Sequence, residues 1–182
     1  MQDSLFGPEI TCPHCGGRIE LSELTEQPAP PALVLPADPD AAPVAPTLIL
    51  RADGGSRGNP GPAAYGALVE DAATGEILNS EGLAIGEATN NVAEYSGLIA
   101  ALEMAREIAP DAAIEVRMDS KLVIEQMAGR WKIKNPTLRP LALKATALRP
   151  TSVTWTWVPR AENTQADTLL NQALDGDPTY RR

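Results

Sequence analysis

From residue 47 onward, short apolar runs alternate with polar breaks. The spacing reads as three strands, a helix, a strand, two helices, a strand and a final helix. Leu48, Ile49 and Leu50 form an apolar run with the look of a buried strand, and Asp53 stands at its exit. Gly54, Gly55, Gly58, Asn59, Pro60 and Gly61 follow as a glycine-rich turn that breaks the strand period and favours close backbone approach. Residues 63–70 and 76–85 read as the second and third strands, with a turn at 71–75 between them, so the first three strands form an antiparallel meander. Val92, Tyr95, Ile99, Leu102 and Ile108 then recur at helical spacing, with Thr89 or Asn90 able to cap the start and Pro110 beyond the end. Glu94 lies in the first turns of that helix, beside its apolar stripe.

The second half repeats the opening geometry. Residues 112–118 predict a strand that delivers Asp119, 121–127 a short helix, 129–136 a basic loop and 137–148 a leucine-rich helix. Residues 152–158 read as a strand with Trp155 and Trp157 on one face, assigned to the core. The last helix, 162–174, uses Ala166, Leu169, Leu170 and Ala173 as its apolar face and carries Asp167 one step off it, and 175–182 reads as a frayed tail. Three meandering strands followed by two crossover units imply an α/β fold with helices on the faces of a mixed sheet.

Upstream of residue 47 the character changes. Residues 1–25 contain Cys12 and Cys15 in CPHCGG, the form of half a zinc knuckle, with His14 between the two thiols. Three such groups fall short of the four ligands of a structural zinc, so the readings are a zinc site completed by a second copy or a degenerate knuckle. Residues 26–46 hold seven prolines among alanines and acids, the composition of an extended linker. The chain of 182 residues thus divides into a small CxxC segment (1–25), a linker (26–46), a main globular domain (47–176) and a tail (177–182). Two cysteines in this setting, no secretory signal and no apolar run of membrane-spanning length lead to the expectation of a cytoplasmic protein without a membrane partner. The net charge of −9 argues against a nucleic-acid partner only until it is divided. Residues 1–46 carry seven acidic residues against one arginine, whereas 117–149 carry eight Lys/Arg against Asp119 and Glu125.

Asp53, Glu94, Asp119 and Asp167 each sit at a strand end or near a helix start. If the first and fourth strands are parallel neighbours, Asp53 and Asp119 emerge side by side at carboxyl ends, where open α/β sheets place their sites. Converging carboxylates without histidine or thiol suit hard cations, Mg²⁺ or Mn²⁺, two of which can clamp the oxygens of a phosphoryl displacement.

In order and spacing, DGGSRGNPGPAAYG, TNNVAEYSGLIAAL, MDSKLVIEQM and WTWVPRAENTQAD closely resemble the motifs of ribonuclease H type 1, in its short bacterial and archaeal form. The resemblance covers about residues 47–174 and implies the ribonuclease H-like fold, a five-stranded mixed sheet flanked by helices. It implies a DEDD site of Asp53, Glu94, Asp119 and Asp167 binding two Mg²⁺, with Mn²⁺ able to substitute, and endonucleolytic cleavage of the RNA strand of RNA–DNA hybrids. It assigns Thr89, Asn90 and Asn91 to a DNA-strand phosphate and the minor groove, and Asn59 with the backbone of Gly54 and Gly55 to RNA 2′-hydroxyls. Trp131, Lys132 and Lys134 would contact the DNA strand. The chain departs from the family in lacking the long basic protrusion and the histidine near the last acid. Arg160 stands there instead, either to handle phosphate or to serve as an ion-pair partner. The family implies roles in replication and repair and a monomer. The N-terminal segment is read separately, as a tether for a replication or repair partner. The alternatives are a non-catalytic hybrid-binding module, which would have no reason to keep four carboxylates, and another nuclease on the same fold.

Overall fold

The structure is a computed structural model and describes residues 9–11, 18–20 and 47–181. The chain divides into two compact units, Met1–Ala42 and Pro43–Arg182. In the first, β1 (Glu9–Thr11) pairs antiparallel with β2 (Arg18–Glu20), Thr11 opposite Arg18. Cys12, His14 and Cys15, on which the zinc reading rests, lie outside the described residues, as does the linker at 26–46.

The second unit contains β3 (Thr47–Ser56), β4 (Gly61–Asp71), β5 (Ile77–Ala88), α1 (Asn90–Ile108), β6 (Ala113–Met118), α2 (Lys121–Met127), α3 (Leu138–Leu148), β7 (Val153–Trp157) and α4 (Thr164–Leu174), with a 3-10 turn at Arg160–Glu162. The five long strands form one sheet in the order β5-β4-β3-β6-β7. β3, β4 and β5 are the antiparallel meander, while β6 joins β3, and β7 joins β6, in parallel. This is the five-stranded mixed sheet flanked by helices that the sequence implies. The expected parallel neighbours, the first and fourth strands of this unit, are β3 and β6.

Sheet alternation decides which helix lies where. Leu48, Leu50 and Ala52 of β3, Tyr65, Ala67 and Val69 of β4, and Ile114, Val116 and Met118 of β6 face α1, α2 and α3, and with Tyr95, Leu98, Leu102 and Met104 they make the main core. The opposite face takes α4, whose Leu170 and Ala173 pack on Ala64 in a smaller cluster. At roughly 1.5–3 kcal/mol for each large apolar side chain buried, the α1 face dominates the stability. α4 has the smaller apolar cluster, and it carries Asp167 and Asn171.

Four expectations are corrected. Gly54 and Gly55 do not turn: they continue β3, opposite Tyr65 and Ala64, and the turn begins only beyond Ser56. Their lack of a side chain serves packing, because a Cβ on Gly54 would stand 2.1 Å from the Glu94 nitrogen. Trp157 is not core but 49% exposed, donating its indole N–H to the Asp119 carbonyl at 3.0 Å, whereas Trp155 packs against the core. Ile108, placed on the apolar stripe of α1, is 39% exposed because it sits in the last turn, past the sheet. The tail is not frayed. Thr179 pairs with Gly82, and Arg181 reaches Glu81 at 2.7 Å, Glu103 at 2.7 Å and Glu107 at 3.2 Å. Among the described residues no helix is long and apolar enough to cross a membrane.

Two glycines mark where helices touch the sheet backbone. A Cβ on Gly66 would lie 2.1 Å from the Ala166 carbonyl of α4, as one on Gly54 would meet α1. Gly97 of α1 is more tolerant, its nearest atom being 3.1 Å away. Gly54→Ala and Gly66→Ala are therefore each expected to cost at least the ~1–3 kcal/mol of an overpacked core, and Gly97→Ala distinctly less. Urea unfolding of the three variants checks that ranking.

Candidate active site

Parallel pairing of β3 with β6 runs to Arg51 opposite Arg117. Two residues beyond that pair stand Asp53, still within β3 and opposite Gly66 of β4, and Asp119, just past the end of β6, so the two acids lie at the same level. Glu94 arrives from α1, whose start is fixed by Thr89 as N-cap, its hydroxyl accepting from the Val92 N–H. Asp53, Glu94 and Asp119 line one cavity of about 320 Å³ together with Gly54, Gly55 and Asn90. Arg160, Arg57 and Asn171 close its other side.

Within the cavity the acids are unequally provided for. Asp53 is 4% exposed; its Oδ1 accepts the Gly54 N–H at 2.8 Å, and its Oδ2 has no hydrogen-bond partner. Glu94 is 7% exposed and its Oε2 is likewise without one. Burial first, then the Asp119 charge, raises the Asp53 pKa to about 7. Burial first, then the charges of Asp53 and Asp119, holds Glu94 well above the usual carboxylate range, with the Gly54 N–H and the Ser120 hydroxyl pulling the other way. Asp119 takes the Asn163 amide N–H on Oδ1 at 2.8 Å. Asp167, in the first turn of α4, is engaged on both oxygens: Arg160 bonds Oδ1, and Asn171 donates to Oδ2 at 3.0 Å. The turn bearing Arg160 is itself tied to the sheet by Arg51, which donates to the Glu162 carbonyl at 2.8 Å while its Nε pairs with Glu70 at 3.0 Å.

These residues suit hard divalent cations. Two buried carboxylate oxygens without donors, facing a polar cavity, are what such an ion would satisfy. Among the described residues no three acidic, histidine or cysteine side chains draw together as a ligand cage. Asp167 is instead held by Arg160 and Asn171, while Asp53, Glu94 and Asp119 share the cavity lining.

The residues assigned to nucleic acid fall into two places. Asn59 and the TNN element meet: the Asn90 N–H donates to Asn59 Oδ1 at 3.2 Å, joining the glycine-rich turn to the start of α1. Thr89 and Asn91 are half-buried beside exposed Asn90. Trp131, 46% exposed, stands with Lys132 and Lys134 on the surface loop after α2, and none of the three lines the acidic cavity. Sequence reasoning missed Arg57, Asn163 and Asn171. Asn171 lies four residues after Asp167, the helical spacing that brings two side chains together, and could have been found from it.

Two raised carboxyl pKa values set a pH dependence. A carboxyl whose folded pKa lies above its unfolded value binds more protons when folded, so stability falls as pH rises between the two. For Asp53 that window runs from 3.8 to about 7, and such a displacement is worth at most about 4 kcal/mol. The lowered carboxyls of Asp71, Glu103, Glu115 and Glu125 act only at lower pH. In chelator, the thermal midpoint is expected to be higher at pH 5.5 than at pH 8. Asp53→Asn should flatten that slope, and saturating Mg²⁺ should raise the pH 8 midpoint. A slope unchanged by the substitution would show that burial of Asp53 carries no ionisation cost.

The reverse transcriptase-like family model matches residues 51–173. A bifunctional protein of Mycobacterium tuberculosis is 54% identical over 130 residues, 70% of this chain and 35% of that protein. Ribonuclease HI of Halobacterium salinarum is 49% identical over 125 residues, 68% of this chain and 62% of that protein. The chain therefore spans about a third of the length of the mycobacterial relative and somewhat under two thirds of the archaeal one. Among solved structures, LC11-RNase H1 in complex with an RNA/DNA hybrid matches with a TM-score of 0.68 at 41% identity, over 71% of this chain and 97% of that one. A match of this extent, on a sheet that brings Asp53, Glu94 and Asp119 to one cavity, means that the chain belongs to the ribonuclease H family.

Proposed function

We propose that this chain hydrolyses the RNA strand of RNA–DNA hybrids, cutting internally and leaving 5′-phosphate and 3′-hydroxyl ends. The observation that carries the reading is the pair of donor-less carboxylate oxygens, on Asp53 and Glu94, in a cavity floored by two glycines. Asp53, Glu94, Asp119 and Asp167 would hold two divalent cations, Mg²⁺ or Mn²⁺. When bound, they would supply an activated water and charge stabilisation for the leaving 3′-oxygen.

The remaining roles belong to side chains and backbone. Gly54 and Gly55 line the cavity beside the acids, and their backbone would meet a ribose 2′-hydroxyl, the group that separates RNA from DNA. Asn59, held against Asn90, would read the RNA side, while Thr89, Asn90 and Asn91 would take a DNA phosphate and the minor groove. Trp131 would stack, and Lys132 and Lys134 would neutralise phosphates, on the DNA strand. Arg160 is bonded to Asp167 and 72% exposed at the side chain, so it can exchange that carboxylate for a substrate phosphate. The segment 1–46 is read as a tether for a protein partner, on a monomeric, cytoplasmic chain.

The test is cleavage of a labelled RNA–DNA hybrid with Mg²⁺ or Mn²⁺, against duplex DNA and duplex RNA. Hybrid-only cutting is expected, with a fall of at least 10²-fold in Asp119→Asn, the order of loss when a group stabilising transition-state charge is removed. Binding without cutting by the unaltered chain would make it a hybrid-binding module instead. Removal of residues 1–46 is expected to leave cleavage of short hybrids intact, and a loss of activity there would refute the tether.

A further inference from the structure

Asn163 stands immediately before α4, at the position where asparagine normally caps a helix by accepting an N–H of its first turn. It makes no such bond. Its side chain is turned inward and fully buried, at 0% exposure. The amide nitrogen donates twice, to the Ala52 carbonyl at 2.9 Å and to Asp119 Oδ1 at 2.8 Å. Its own backbone carbonyl accepts the Asp167 N–H at 3.1 Å. This residue therefore touches one acid side chain and the backbone at or beside two more. It grips the strand one position before Asp53, one oxygen of the Asp119 carboxylate, and the backbone of Asp167.

We propose that Asn163 is a positioning residue for divalent-cation binding: it fixes the Asp119 carboxylate and locks the start of α4 to the middle of β3 and to the residue that follows β6. The inference rests on the reading of Asp53, Glu94, Asp119 and Asp167 as a cation site. Both N–H groups of one primary amide are used, one on the sheet and one on the carboxylate, so the Asp119 side chain inherits the rigidity of β3. With Oδ1 committed to Asn163, Oδ2 is the oxygen left to face a cation. Glutamine would reach too far to hold both acceptors, and aspartate would replace a donor by a second negative charge against Asp119. The amide oxygen of Asn163 is buried without a partner. A residue selected only to fill space or to cap α4 would have no reason to carry that oxygen inward.

The test measures Mg²⁺ affinity by calorimetry on the full chain, wild type, Asn163→Ala, Asp119→Ala and the double variant, with folding followed by circular dichroism. Outer-shell partners of metal ligands typically change affinity by roughly 10- to 100-fold when removed. A loss of that order is expected in Asn163→Ala, with the KM for hybrid changed less than kcat and no further loss from Asn163→Ala once Asp119 is alanine. Full Mg²⁺ affinity in folded Asn163→Ala overturns the proposal and leaves the cation site standing. No Mg²⁺ binding by the wild type overturns the site itself, and the proposal with it. Should Asn163→Ala not fold, the side-chain amide resonances of Asn163 in the wild-type chain decide: exchange-protected protons that shift on Mg²⁺ addition are expected, and resonances indifferent to saturating Mg²⁺ overturn the assignment.

Discussion

Two carboxyl groups buried within each other's field, each with an oxygen that no donor satisfies, are the constraint on which the rest of this unit depends. An ionised carboxylate in a dry interior is costly enough that it surrenders its charge before it stays unpaired, and Asp53 and Glu94 are both displaced in that direction. The main core lies on the α1 face and offsets this expense. Leu48, Leu50 and Ala52 alternate with the site-side residues of β3, so the strand that bears Asp53 also supplies three of the most buried apolar side chains. Asp53 cannot move without disturbing that packing, and the same rigidity keeps the acids from swinging out to water.

Opposite the pair of Asp53 and Glu94, α4 is the wall held with the smaller apolar cluster. Its apolar contribution is Leu170 and Ala173 with a few neighbours, and its acid is neutralised by Arg160 and Asn171 rather than left bare. A protein that gathers like charges has two ways to hold them, by packing or by counter-charge. This one uses packing for the two buried acids and counter-charge for the third, at the rim. Asp119 lies between, held by the Asn163 amide.

The fold and the positions of Asp53, Glu94 and Asp119 were legible in the sequence because each is written in local pattern. Asp53 and Asp119 stand beyond apolar runs, and Glu94 stands next to a helical stripe, so period and position locate them without knowledge of the fold. What was not legible depends on contacts between distant segments. Gly54 and Gly55 read as a turn, since nothing near them in sequence announces that the α1 backbone at Glu94 presses against the strand. Arg181 is tied to Glu81, Glu103 and Glu107 from far along the chain, and local composition alone makes that tail look loose. Trp157 obeys the strand period but lies at the end of the edge strand β7, where the sheet has no further neighbour to bury it. Asn163 was hidden by its commoner role, since asparagine before a helix is ordinarily a cap.

The parallel register of β3 with β6 has a consequence for insertions and deletions. Asp53 and Asp119 are each two residues beyond the paired arginines Arg51 and Arg117, so their separation is inherited from the spacing of adjacent strands, about 4.8 Å, rather than from side-chain choice. A one-residue insertion or deletion between residues 48 and 52 turns Asp53 to the opposite face, among the leucines. A change of equal size in the 71–76 hairpin leaves the acids where they are. The chain can therefore drift in length at its hairpins and linkers, while along these two strands it is bound to count by single residues.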